Sequence, residues 1–203
     1  MGLRLLGRVS AGVYRLAVRA RSKLFSLLVG GAFAKFGKKS VIVLPVRLSG
    51  EDRIEVNDRV YIGANCWLQT LPDGQNMSPA ISIGSGTSIA GSCVISAVRQ
   101  VRIGESVLFA KNVYVSDHKH KYSDQHVRIM SQGLDKIGPV LIKEGAWIGQ
   151  NVVVCPGVTI GRGSVIGANS LVNEDVPDFC IAAGSPVRII KKISESTGWQ
   201  RGR

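Results

Sequence analysis

VLIKEGAWIGQNVVVCPGVTIGRGSVIGANSLVNEDV, residues 140 to 176, returns an aliphatic side chain at every sixth position: Ile142, Ile148, Val154, Ile160, Ile166 and Val172. Four residues after each stands a second, uncharged and mostly small position: Ala146, Val152, Val158, Ser164, Ser170 and Val176. Neither the helical period of 3.6 nor a plain strand alternation persists at six, so the chain must turn a corner at a fixed interval. Such a period belongs to β-solenoids, in which short parallel strands stack coil on coil around a shared interior and three six-residue sides close one triangular coil. Gly149, Gly161 and Gly167 each follow an inward aliphatic, where a turn with little room favours glycine.

The same register runs backward as Ile103, Phe109 and Val115, as Ile83, Ile89 and Ile95, and as Val56, Ile62 and Leu68. It breaks three times: at TLPDGQNMSPA (residues 70 to 80), in a two-residue slip between Val98 and Val101, and in a long excursion between Val115 and Ile142. About fifteen hexapeptides predict an all-β solenoid, a parallel β-helix of about five triangular coils. The expected organisation is a basic helical segment over 1–39, the coils over 40–186 with a protruding loop at 116–139, and a short basic segment over 187–203.

Composition agrees with one domain: 203 residues are 45% hydrophobic but only 6% aromatic, so the core is built of small aliphatics. Cys66, Cys93, Cys155 and Cys180 lie far apart without metal-type spacing. Cys66 and Cys93 occupy the small slot of the repeat and read as reduced core residues of a reducing compartment. The net charge of +12 sits in the tails, with +9 in residues 1–39 and +4 in 187–203, leaving −1 for the body. A basic groove along the coils is therefore absent from the sequence, and nucleic acid is not an expected partner.

The opening segment sets Arg4, Arg8, Arg15 and Arg19 near one another on a helix, with Leu5, Val9, Leu16 and Leu24 away from them. Two readings stand side by side: a helix lying on an anionic membrane surface, and a helix packed on a neighbouring subunit. LFSLLVGGAFA (24 to 34) follows a charged region too long for a signal peptide, and no apolar run is long enough to span a bilayer. The segment is expected to be retained and not membrane-spanning.

From about Lys38 to Lys192 the chain resembles the left-handed β-helix hexapeptide acyltransferases, in the maltose, galactoside and polysaccharide O-acetyltransferase branch. The resemblance rests on NVYVSDHKHKY (112 to 122), then GPVLIKEGAWIGQNVVVCPGVTIGRGSVIGANSLV (138 to 172), then DVPDFCIAAGSPVRIIKK (175 to 192). It implies a homotrimer whose acetyl-CoA sites lie between adjacent subunits. It also implies that the excursion after Val115 carries the catalytic histidine, which His118 matches. Histidine titrates nearest neutral pH, so it suits a base that takes the acceptor's proton and returns it to the departing thiolate. Asp117 would orient that ring or serve as a turn residue, His120 would support it or touch the acceptor, and Asn112 resembles an acceptor-contacting position. Gln150, Ala168 and Asn173 fall where the family lines the pantetheine cleft. Arg188 and Lys191 match a basic pair meeting the nucleotide phosphates. Cys155 occupies an ordinary apolar position and Trp147 one at the subunit boundary, so direct transfer without a covalent intermediate is expected.

The reading is thus an acetyl-CoA-dependent O-acetyltransferase, without metal, acting on a sugar of a surface-polysaccharide precursor at the cytoplasmic face of the membrane. N-acetylation of a nucleotide-linked amino sugar is the alternative. A γ-class carbonic anhydrase would need three histidine ligands from separate coils, whereas His118, His120 and His126 share one loop. A purely structural hexapeptide module would not explain the histidine loop and the basic tail together.

Overall fold

The computed structural model describes residues 2–72, 79–194 and 198–201. Three parallel sheets wind around one interior. The first face stacks Lys35–Phe36, Ile54–Val56, Ile81–Ile83, Val101–Ile103, Val140–Ile142 and Thr159–Ile160. The second runs through Val41–Ile42, Tyr61–Ile62, Ser88–Ile89, Leu108–Phe109, Trp147–Ile148, Val165–Ile166 and Cys180–Ala183. The third stacks Arg47–Ser49, Trp67–Thr70, Val94–Ala97, Tyr114–Ser116, Val153–Val154 and Leu171–Val172. Among the described residues this makes six coils, one more than the hexapeptide count gives. The additional coil is Lys35 to Ser49, and its inward residues Phe36, Ile42 and Leu48 already keep the six-residue spacing. A 3-10 turn at Glu51–Arg53 displaces that register from the next coil, which hides it from a period anchored at Val56. The coils therefore begin at Lys35, ahead of the expected boundary at 40.

Each strand is so short that one residue points in and its neighbour out. On the second face Ile62, Ile89, Phe109, Ile148 and Ile166 are buried in a single continuous core. Adjacent coils are only about 4.8 Å apart, which explains the glycine after Ile148, Ile160 and Ile166. A Cβ on Gly149 would come within 2.6 Å of the Ile166 carbonyl oxygen. The requirement there is close approach. The left-handed backbone comes two residues later, at Asn151 and Asn169 (φ 59° and 60°), and at Asn112 (φ 59°) in the same corner, and asparagine tolerates it better than most side chains.

The outward residues differ by face. The first face presents Lys35, Glu55, Ser82, Arg102, Leu141 and Thr159. The second exposes Tyr61, Leu108 and Trp147, and the third exposes Tyr114 and Val153. An apolar surface thus flanks the edge where the second and third faces meet.

Both ends of the stack are covered. Helix α1, Gly2–Val29, meets the first coil through its last turns. Ser26 Oγ donates to the Ser22 carbonyl (2.7 Å) and accepts from the Ile42 N–H (2.9 Å), satisfying an amide that no preceding coil could reach. At the other end Arg188–Ser194 pairs antiparallel with Cys180–Ala183, and Gly198–Arg201 antiparallel with Arg188–Ser194, ending the parallel edge in a hairpin-like ribbon. Residues 73–78 of the first sequence break, and 195–197, 202 and 203 of the C-terminal segment, lie outside the described residues.

Candidate active site

The third face ends at Ser116, and the chain leaves the stack there. Asp117 is fully buried at this corner, and its carboxylate accepts three consecutive backbone N–H groups. Val98 N donates to Oδ1 (2.9 Å), and Arg99 N and Gln100 N donate to Oδ2 (2.7 Å each). These donors belong to the preceding coil and are the residues of the two-residue slip. The slip therefore builds a cradle for one carboxylate. Arg53 fastens it from a further coil back, its guanidinium donating to the Leu71 and Val98 carbonyls (2.7 and 2.9 Å).

Burial pushes the Asp117 carboxyl up, but the hydrogen bond with His118 and the three N–H donors outweigh it and hold the group below the ordinary carboxylate value. An ionised carboxylate can only accept, which fixes the neighbouring ring. His118 Nδ1 lies 2.8 Å from Asp117 Oδ1, so Nδ1 carries a proton, and in the neutral ring the lone pair is on Nε2. Ser116 braces the same residue: its Oγ donates to the His118 carbonyl (2.8 Å), accepts from the His118 N–H (3.2 Å) and lies 3.2 Å from Nδ1. His118 is 9% exposed, and among the described residues nothing hydrogen-bonds Nε2. The result is a held imidazole with one basic nitrogen available.

Beyond His118 the chain projects as a ribbon, Lys119–His120 pairing antiparallel with Leu134–Asp135. Gln132 stitches its tip, its Nε2 donating to the Asp124 and Val127 carbonyls (2.7 Å each). The Gly138 N–H returns to the Asp117 carbonyl (2.8 Å). His120 is exposed on this ribbon and hydrogen-bonds neither His118 nor Asp117.

The other sequence-derived residues occupy different corners. Gln150 and Ala168 are exposed at the junction of the second and third faces, with the Gln150 carbonyl accepting from Asn169 N (2.8 Å). Asn112 shares that corner in a ladder: its Nδ2 donates to Asn151 Oδ1 (3.3 Å), and Asn151 Nδ2 donates to Asn169 Oδ1 (2.9 Å). Asn173 lies on the His118 corner, two coils further on. Arg188 and Lys191 sit on the strand Arg188–Ser194, between Cys180–Ala183 and Gly198–Arg201. Arg188 Nη1 donates to Glu174 Oε1 (2.9 Å) and to the Val187 carbonyl (2.7 Å), so its charge is already paired, while Lys191 is half-buried opposite Ile181 and Arg201. Within one chain only Asn173, of the residues read as cofactor-binding, shares the His118 corner, and Gln150, Ala168, Arg188 and Lys191 lie elsewhere.

Cys155 follows the third face one coil beyond Ser116. Burial holds its thiol above the ordinary value, and the charge of Lys136 offsets this only in part, which disfavours a nucleophilic thiolate. Among the described residues no three His, Cys, Asp or Glu side chains cluster as metal ligands. Sequence reasoning missed Ser116 and the Val98–Gln100 cradle. The signal was the register slip itself.

Residues 139–174 match the family model for the bacterial transferase hexapeptide (six repeats). The chain is 31% identical over 148 residues to a galactoside O-acetyltransferase of Lactococcus lactis subsp. lactis, covering 72% of this chain and 70% of that one. It is 36% identical to the putative lipopolysaccharide biosynthesis O-acetyl transferase WbbJ of Escherichia coli, over 53% of this chain and 58% of the other. The fold is similar to that of AntD, an N-acyltransferase from Bacillus cereus, with a TM-score of 0.71 at 23% identity, covering 86% of this chain and 90% of that structure.

Proposed function

The chain belongs to the left-handed β-helix hexapeptide acetyltransferases, and from that premise we propose that it moves the acetyl group of acetyl-CoA directly onto a sugar hydroxyl, with His118 as general base. The observation that carries this reading is the Asp117–His118 pair, whose hydrogen bonding leaves Nε2 as the ring's one acceptor. Nε2 takes the hydroxyl proton as the sugar oxygen attacks the thioester carbonyl. Collapse of the tetrahedral intermediate breaks the carbon–sulfur bond, and the imidazolium returns the proton to the departing thiolate. Asp117 stays ionised throughout and stabilises the imidazolium, a positioning role.

Acetyl-CoA is assigned to a cleft between copies, formed by the His118 corner of one and the Gln150 and Ala168 corner of the next, with Asn173, Arg188 and Lys191 toward the nucleotide end. Exposed Tyr61, Leu108, Trp147, Tyr114 and Val153 beside that second corner supply an apolar contact surface for such a trimer. Asn112 and His120 are the acceptor side of the reading. Likeness to WbbJ supports a surface-polysaccharide precursor as acceptor, met in the cytoplasm at the inner face of the membrane. No described helix is long and apolar enough to cross a membrane.

N-acetylation of a nucleotide-linked amino sugar is the second reading, favoured by likeness to AntD, whose structure holds dTDP and an acyl-CoA. Purified protein incubated with acetyl-CoA and a panel of sugars, followed by CoA release and product mass before and after mild alkali, separates the two. An alkali-labile acetyl ester supports the first reading. An alkali-stable amide replaces it with the second, and acetyl transfer undiminished by His118→Ala removes the base.

A further inference from the structure

Where α1 meets the first coil, a cavity of about 630 Å³ opens between the helix and the second face. Four cations line it, Arg15, Arg19 and Lys23 from the helix and Lys39 from the coil, and no acid does. None of the four has an ion-pair partner among the described residues. Ser22 also lines it, is 2% exposed, and has an Oγ without a hydrogen-bond partner. A buried hydroxyl left unpaired beside uncompensated cations is costly unless an acceptor arrives. Apart from Ser40, whose hydroxyl is engaged by the Asn57 carbonyl and the Val60 N–H, the rest of the lining is apolar or amphipathic, including Val18, Val41 and Tyr61. The site therefore suits a phosphate carried on an apolar body.

The helix says where that body comes from. By the helical period Arg4, Arg8, Arg15 and Arg19 fall on the side that continues into Ser22 and Ser26, which dock on the coils. Leu5, Val9, Leu16 and Leu27 form the adjoining side, about a quarter to a third of a turn round, with Leu24 beyond them, each more than half exposed. The helix carries six cations and no acid, so an anionic surface complements it and a second copy of the same helix does not. We propose that α1 lies on an anionic lipid surface and that the cavity at its base takes the headgroup phosphate of a lipid, donated to by Ser22 and neutralised by Arg19 and Lys39. This rests on the membrane location in the proposed function and is independent of acetyl transfer.

The test is co-sedimentation of the full chain with phosphatidylcholine vesicles with and without phosphatidylglycerol. Wild type should bind only the anionic vesicles. Arg19→Gln with Lys39→Gln should weaken binding about tenfold more than Arg4→Gln with Arg8→Gln, which removes equal charge outside the cavity. Arg15→Gln with Lys23→Gln is the second cavity pair, should the first lower the melting temperature. Equal losses from cavity and control pairs would mean that net charge alone acts and would overturn the headgroup site while leaving membrane docking intact. Failure of wild type to bind anionic vesicles at low salt overturns both. Inorganic phosphate that displaces the protein from vesicles at concentrations comparable to lipid phosphate would show a site for free phosphate and overturn the lipid.

Discussion

At the scale of the residue, the chemistry turns on how one carboxylate is held. Asp117 is buried, accepts three N–H groups and one imidazole N–H, and its carboxyl lies below the ordinary value. His118→Ala should lower turnover by about 10²- to 10⁴-fold while leaving the melting temperature and CoA affinity near wild type; steady-state kinetics and calorimetric titration check both. Asp117→Asn should do more harm than its size suggests, because an amide NH₂ would face N–H donors and the ring would lose its fixed tautomer. Turnover should fall about 10²-fold or more, with a stability loss of about 1–3 kcal/mol at neutral pH. The pH sign follows from linkage. A folded-state value below the unfolded one of about 4 makes the carboxylate's stabilisation present above about pH 4 and lost as pH falls through the folded value. Denaturant unfolding of Asp117→Asn should accordingly depend less on pH on the acid side than that of wild type. His118 was legible as the histidine at a register break. The cradle was not, because its donors sit seventeen to nineteen residues away, and only the stacking of coils brings them under Asp117.

At the scale of the element, the hexapeptide works by dividing labour between a close-approach glycine and a left-handed corner residue. Asn151 has φ 59° and joins a ladder with Asn112 and Asn169. Asn151→Ala should cost about 1–2 kcal/mol, from the left-handed backbone and the lost side-chain bonds. Asn151→Gly should cost clearly less, since glycine keeps the backbone free; paired urea titrations distinguish them, and equal losses would assign the whole effect to the ladder. Most of the fold was legible because inward aliphatics at a strict spacing of six admit few alternatives. The first coil escaped because Phe36, Ile42 and Leu48 are out of phase with Val56 across the Glu51–Arg53 turn. A periodicity search detects phase, and a 3-10 turn shifts phase without ending the stack. Asn112, read from the sequence as an acceptor contact, also takes part in the corner ladder, a bond that only the stacking of coils reveals.

At the scale of the whole molecule, the residues proposed for one reaction are divided among corners. His118 lies where the third face gives way to the first, and Ala168 where the second gives way to the third. A single sequence lists both sets without saying which copies meet, so the expectation of a cleft between copies came only from the family resemblance. The proposed trimer turns this division into a quantitative expectation. A ring of three heterologous contacts would give each site His118 from one copy and Ala168 from its neighbour. His118→Ala removes the base, and Ala168→Trp should fill the pantetheine path; each alone should be nearly inactive. Unfolded together in equal amounts and refolded, they form mixed trimers in which a site is intact when an Ala168→Trp copy supplies His118 and a His118→Ala copy supplies the corner. Random assembly makes that about a quarter of all sites, so turnover should recover to about a quarter of that of refolded wild type. If both residues serve a site within one chain, no mixture contains an intact pair, and the refolded mixture should stay as inactive as its parents.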